Sequence, residues 1–157
     1  MNKLVFLDSN VFFDCLEKPD KKATINHAIN RDYQFVISLT VIGEVILIIK
    51  RDFKSDYVQY LIDFFSMLTD WKIQIYVPDE NVAVICYEFS EDYTDGRIIN
   101  QKTDRVHLAY AIAYECNYFV TSDDALIRYR IPPKLEAADW YKPETLTFEE
   151  FKKIVNS

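Results

Sequence analysis

The chain has 157 residues, half of them hydrophobic and 15% aromatic, with a formal net charge of -7. That composition excludes an intrinsically disordered chain and suits one domain, residues 1–157, with a sizeable core. With only Gly43 and Gly96 available for tight hairpin turns, an all-β fold is disfavoured, and the acidic balance argues against tight non-specific nucleic-acid binding without excluding a nucleic-acid substrate.

Leu4-Val5-Phe6-Leu7 predicts a buried strand that delivers Asp8 to its carboxyl end, the rim where open α/β sheets place ligands. Residues 10–16 predict a helix capped by Ser9 or Asn10 and broken at Lys18-Pro19-Asp20, with a second helix over 21–30. Residues 34–37 read as a short strand. Ser38 or Thr40 then opens a helix over 41–51 that is apolar almost all round, which predicts burial on most faces. Residues 56–68 form an amphipathic helix with Tyr57, Tyr60, Leu61, Phe64, Phe65 and Leu68 on one stripe. That stripe is ordinarily core, and a subset of it can instead receive a partner's helix.

Residues 71–77 alternate as a strand stopped by Pro78, and 81–89 follow as a helix. Residues 91–100 are polar, contain Gly96 and read as a loop. Thr103 is the expected cap of a helix over 104–115. Residues 118–121 are a strand ending in Ser122-Asp123-Asp124. A short helix follows, ended by Pro132-Pro133. Residues 135–140 are the expected last strand, and 148–155 a terminal helix capped by Thr147. Strands alternating with helices predict an α/β fold: a three-layer α/β/α sandwich with a mainly parallel central sheet.

Cys15, Cys86 and Cys116 are odd in number and widely spaced, without zinc-ligand or CxxC spacing, and read as buried thiols in a reducing compartment. The start runs directly into a strand, and the longest apolar run contains Glu44. Both features predict a cytoplasmic protein without a membrane span.

Four carboxylates need a reason. Glu44 stands inside Val41-Ile42-Gly43-Glu44-Val45-Ile46-Leu47-Ile48-Ile49, where an ionised group is costly unless compensated. Its ordinary reading is an edge residue reaching solvent beside a Lys or Arg. Asp104 opens a helix, where a carboxylate also simply complements the macrodipole. Asp8 and Asp123 each follow a buried strand and are equally readable as Asx turns or caps. His107, one turn after Asp104, reads as a packing or hydrogen-bonding residue. What the ordinary readings leave unexplained is the set: three of the four acids sit at element ends that can face one rim.

The ordered motifs resemble the PIN domains, many of which are metal-dependent ribonucleases. Leu7-Asp8-Ser9-Asn10-Val11 resembles the family's opening motif, with Ser9 where Thr is usual. Ser38-Leu39-Thr40-Val41-Ile42-Gly43-Glu44-Val45 resembles the second, Thr103-Asp104-Arg105-Val106-His107-Leu108-Ala109-Tyr110-Ala111 the third, and Val120-Thr121-Ser122-Asp123 the fourth. The likeness runs from Leu4 to about Leu126, and Asp124 beside Asp123 leaves two acids for one position.

The resemblance implies a PIN-like fold and a metal site of Asp8, Glu44, Asp104 and Asp123. All-oxygen donors suit Mg²⁺ or Mn²⁺. Asp8, Asp104 and Asp123 are then ligands, directly or through water, and Glu44 holds water or completes the site. It further implies an endoribonuclease hydrolysing RNA phosphodiester bonds, with the cation activating water and neutralising phosphate charge. Small single-domain members are often VapC-type toxins, which implies a toxin of a toxin-antitoxin pair, a homodimer and an antitoxin protein as partner.

Six Lys/Arg between Arg97 and Lys134, against four Asp/Glu, offer phosphate contacts, although each alone reads as solvated surface. The competing readings are a non-catalytic PIN-like scaffold binding RNA or a protein, a haloacid-dehalogenase-type phosphatase and a phospho-acceptor receiver domain. The phosphatase needs an Asp where Asn10 stands. The receiver domain needs paired acids and a partner Lys that the sequence does not show.

Overall fold

In the computed structural model, which describes residues 2–91 and 102–157, the first apolar run becomes the middle of the sheet. β1 (Lys3–Leu7) pairs on one side with β2 (Tyr33–Ser38), which pairs with β3 (Gln74–Tyr76), and on the other with β4 (Tyr118–Val120), which pairs with β5 (Glu144–Leu146). The order is β3-β2-β1-β4-β5 and every pairing is parallel. Parallel neighbours require crossovers, and these are helical: α1 (Ser9–Glu17), α2 (Pro19–Ile29), α3 (Leu39–Asp52), α4 (Tyr57–Asp70), α5 (Glu80–Glu91), α6 (Lys102–Ala113), α7 (Asp124–Arg128) and α8 (Pro133–Ala137), with α9 (Phe148–Asn156) following β5. The α/β architecture with a PIN-like parallel sheet is therefore as expected, and more uniformly parallel than the sequence required.

The core explains why these strands are near-continuous apolar runs. Val5, Phe6, Leu7, Val36, Ile37, Phe119 and Val120 are fully enclosed, as strands covered on both faces must be. Phe6 stacks on Phe119 at 5.3 Å across the β1–β4 pair, and Phe12 meets Phe64 edge-on at 5.2 Å, joining α1 to α4.

The strand order also fixes where a ligand can sit. The chain builds outward from β1 through β2 to β3, then crosses to β4 and β5 on the other side. The carboxyl ends of β1 and β4 therefore flank the topological switch point, the crevice that open α/β sheets use for binding. The Asp8 N–H donates to the Val120 carbonyl at 3.0 Å, locking those two strand ends together.

Several expected elements differ. Residues 135–140 are not a strand: Pro133 takes the first turn of α8, where its missing N–H costs nothing, and Lys134-Leu135-Glu136-Ala137 are helix formers. The last strand is instead β5, three residues too short to show a period. Pro132-Pro133 likewise does not end α7, which stops at Arg128. The strand predicted over 71–77 shrinks to Gln74–Tyr76 because buried Trp71 ends α4, its backbone N–H donating to the Met67 carbonyl, and Lys72 turns the chain at φ 50° with its N–H on the Thr69 carbonyl.

α3 is not buried on most faces. Val41, Val45 and Ile49 are enclosed, but Leu39 and Leu47 are 53% and 69% exposed. On α4 the stripe divides: Phe64 is buried and Phe65 exposed, with Val58 and Ile62 also open. Asp8 itself, not Ser9 or Asn10, caps α1, and Thr103 lies inside the first turn of α6 rather than capping it. α6 ends at Ala113, and Glu115 turns the chain at φ 53°. Cys15 and Cys116 are buried and Cys86 half-buried, all as free thiols. The loop expected over 91–100 lies outside the described residues beyond Glu91, which α5 includes. No helix among the described residues is long and apolar enough to cross a membrane.

Candidate metal centre

Asp8 is the buried anchor of the site. Its side chain is 3% exposed, so every lone pair needs a partner. Oδ1 accepts the Ser9 backbone N–H at 2.7 Å. Oδ2 accepts the Thr121 hydroxyl at 2.7 Å and the Asn10 amide at 2.9 Å. Burial raises the Asp8 pKa, while the His107 ring and the hydrogen bonds from Thr121 and Ser9 oppose that rise.

The same polar network reaches Asp123. Asn10 accepts the Ser122 N–H at 3.1 Å, and Thr121 Oγ1 accepts the Asp123 N–H at 3.0 Å. The Asp123 carboxylate caps α7 by accepting the Ala125 N–H at 2.7 Å. Asp124 is exposed and reaches toward Arg128 at 3.6 Å, on the helix surface. The ambiguity between the two acids is resolved geometrically: Asp123 lines the cleft with the other acids, and Asp124 is not among the residues lining it.

Glu44 enters from α3, and the reason it is tolerated inside an apolar helix lies on α6. Fully buried His107 places Nε2 2.8 Å from Glu44 Oε2 and 4.0 Å from Asp8 Oδ1. Burial alone raises the Glu44 pKa, but the hydrogen bonds and charge from His107, with further hydrogen bonds from Thr103 and Ser9, outweigh it and leave the pKa lowered. An ionised carboxylate only accepts, so His107 Nε2 carries the proton. Among the described residues His107 Nδ1 is buried without a hydrogen-bond partner, and the ring's hydrogen bond is the one to Glu44. This is the hydrogen-bonding role expected of His107. The ligand-type atoms of Asp8, Glu44 and His107 lie within 4.8 Å of one another.

Asp104, half-buried in the first turn of α6, completes the wall. Burial first, then the charges of Asp8 and Asp123, push its pKa up to about 6, with Glu44 adding to the repulsion and His107 opposing it. The charges of Asp8, Asp123 and Glu44 reach Asp104 because all four carboxylates line one pocket.

Asp8, Glu44, Asp104 and Asp123 all line one open cleft of about 410 Å³, together with Ser9, Asn10, Leu47, Ile48 and Arg51. The four acids picked from sequence are thus brought together, from four different elements or element junctions, at the switch point of the sheet. Asn10, Thr121 and Arg51 were not picked. Asn10 was readable in Asp8-Ser9-Asn10 but only as a cap, and Arg51 lies seven residues beyond Glu44, two helical turns along the same face. Of the basic residues expected to meet phosphates, Arg97 lies outside the described residues.

The fold and the cleft define an open parallel α/β protein with an acid-lined crevice at its switch point, the place where such sheets bind ligands. The PIN domain family model matches residues 5–132, and the chain belongs to the PIN domain family. Solved structures that share the fold include three VapBC assemblies. VapBC from Salmonella typhimurium, bound to DNA, superposes with a TM-score of 0.69 at 14% identity, over 94% of this chain and 99% of that one. VapBC2 from Rickettsia felis, bound to a DNA fragment from its promoter, gives 0.68 at 14%, over 92% and 98%. VapBC-1 from nontypeable Haemophilus influenzae gives 0.67 at 11%, over 93% and 98%. No curated protein matches the sequence.

Proposed function

We propose that this chain is a divalent-metal-dependent endoribonuclease of the VapC type, the toxin of a toxin-antitoxin pair. The observation that carries the reading is the meeting of Asp8, Glu44, Asp104 and Asp123 in one cleft, where burial and then the neighbouring charges push the Asp104 pKa up to about 6. Four carboxylates facing one cleft, offset there only by the Arg51 guanidinium that is itself paired with Asp52, leave an excess of negative charge that a hard divalent ion would balance.

The donor set fits Mg²⁺ or Mn²⁺: it is all oxygen once His107 is committed to Glu44, and no thiol lines the cleft. Asp8, Asp104 and Asp123 would hold the ion, and Glu44 would orient water. When bound, the cation supplies positive charge for the phosphate oxygens and lowers the pKa of water. The protein's own residues do the positioning. Thr121 and Asn10 fix the Asp8 carboxylate, His107 fixes Glu44, and the Asp123 cap fixes the fourth acid.

Arg51 supports a polyanionic substrate, since it is the one cation among the described residues lining the cleft. Its side chain is 71% exposed and paired through Nε and an Nη with Asp52, which leaves donors for a phosphate oxygen. Partner contacts fit the exposed apolar side chains Leu47, Val58, Ile62 and Phe65, surface that a homodimer or an antitoxin would cover. The description of all three structural neighbours as VapBC assemblies supports an antitoxin partner for this chain, and cytoplasmic action goes with that reading.

The test is a defined single-stranded RNA incubated with the protein and Mg²⁺ or Mn²⁺, with and without chelator. Cleavage is expected only with metal, and Asp8→Asn and Asp104→Asn are each expected to abolish it while leaving the far-ultraviolet circular dichroism unchanged. Cleavage that survives either substitution, or metal binding without any cleavage, contradicts the reading; the second outcome is that of a non-catalytic scaffold.

A further inference from the structure

Residues beyond 132 fall outside the family match, yet one of them is built into the support of the site. Lys142 lies between α8 and β5. Its Nζ donates to the carbonyls of Leu126 at 2.9 Å, Ile127 at 3.2 Å and Tyr129 at 2.6 Å. An ammonium has three donors, and all three are used. The acceptors are two carbonyls of the last turn of α7 and that of Tyr129 just past it, at the end where the helix carries the negative pole of its dipole.

The arrangement is not that of an ordinary surface lysine, whose ammonium stays in water. Here burial lowers the pKa to about 8 and no carboxylate offsets it. A half-buried charge spent wholly on backbone carbonyls has a positional task, and α7 needs one. Five residues are far too few to hold a helix by propensity. The near end of α7 is capped by the Asp123 carboxylate, and the far end by Lys142. The turn before it is tied to β5, where the Thr121 N–H donates to the Leu146 carbonyl at 3.0 Å. The short helix and its acidic cap are thus held between β4 and the segment leading into β5.

We propose that Lys142 is a positioning residue for Asp123, clamping the far end of α7 so that the carboxylate at its near end faces the cleft. The inference rests on the reading of Asp123 as a cation ligand. It predicts that loss of the ammonium lets α7 fray and weakens divalent binding through Asp123 alone.

The probe is Mn²⁺, titrated into metal-free full-length protein by calorimetry or by loss of the free-ion paramagnetic resonance signal. Wild type is compared with Lys142→Met, Asp123→Asn and the double variant, and the Tm of each is recorded. Lys142→Met is expected to weaken Mn²⁺ binding by about tenfold, the lower end of what outer partners of metal ligands contribute. In the Asp123→Asn background it is expected to have no further effect, which a general loss of stability would not reproduce.

Lys142→Arg, which keeps the charge, is expected to recover most of the affinity. Lys142→Gln replaces the methionine variant should that one not fold. Unchanged affinity in the neutral variant, or an equal loss with and without Asp123, overturns the inference while leaving the metal site standing. Wild-type affinity in Asp123→Asn alone contradicts the ligand assignment itself and removes the basis of the clamp.

Discussion

Asp104→Asn separates the fold from the chemistry, because the same substitution is expected to stabilise the metal-free protein and destroy its metal response. The Asp104 pKa rises from the ordinary 3.8 to about 6 through burial and the charges of Asp8 and Asp123. At about 1.4 kcal/mol per pH unit this corresponds to about 3 kcal/mol. Asp104 is only half-buried, so solvent screening reduces the figure to about 1–2 kcal/mol.

The sign follows from linkage. Between the unfolded and folded pKa values the native state holds more protons than the unfolded one, so stability falls as pH rises from about 4 to about 6 and stays lowered above that. Asparagine carries no such penalty. Urea unfolding in excess chelator should therefore find Asp104→Asn more stable than wild type by about 1–2 kcal/mol at pH 7, with the difference gone near pH 4. Added Mn²⁺ at about 100 times its Kd should stabilise wild type by about 2.7 kcal/mol and the variant by much less. A metal-free variant no more stable than wild type at pH 7, or a gain of equal size at pH 4, would refute the claim that the acids repel one another in one pocket.

Other outcomes follow from single contacts. Arg51→Ala is expected to raise KM for RNA and reduce the salt slope of RNA binding by about one, with Mn²⁺ affinity unchanged; an unaltered slope would remove Arg51 from the phosphate path. Asn10→Ala removes the amide that bridges Asp8 and the Ser122 N–H, and should weaken Mn²⁺ binding and lower stability by about 1–2 kcal/mol in chemical denaturation. Phe119→Ala empties the position stacked on Phe6 beneath the site and should lower stability by about 3–5 kcal/mol; a loss under about 1 kcal/mol would mean the β1–β4 core is packed otherwise.

The parts of the molecule legible in the sequence are those where one physical demand dominates. Leu4 to Leu7 had to be a buried strand, and the four acids stood out because each ends, interrupts or opens an apolar element. Their convergence follows from the switch point between β1 and β4, whereas the alternation of elements implied only a mainly parallel sheet with one rim for them to share. Compensation by distant partners was not legible. Glu44 offered only an uncompensated charge, and its partner His107 stands 63 residues away.

Nor was the exposure of α3 legible, because an all-round apolar helix looks the same whether its outer face meets this chain or another. Residues 135–140 misled because Leu135 and Trp140 suggested an apolar strand, whereas Pro133 at the first turn decided for a helix. Lys142 was invisible for the same reason as His107: its significance lies in carbonyls 13 to 16 residues back, and backbone acceptors leave no mark in a side-chain pattern.

The most direct measurement is anomalous diffraction at the manganese edge from a crystal grown with Mn²⁺. The account predicts a peak in the cleft, held directly or through water by Asp8, Asp104 and Asp123, with Glu44 still on His107. Mn²⁺ found only elsewhere on the molecule, or seated on His107 with Asp104 and Asp123 turned away, would contradict it.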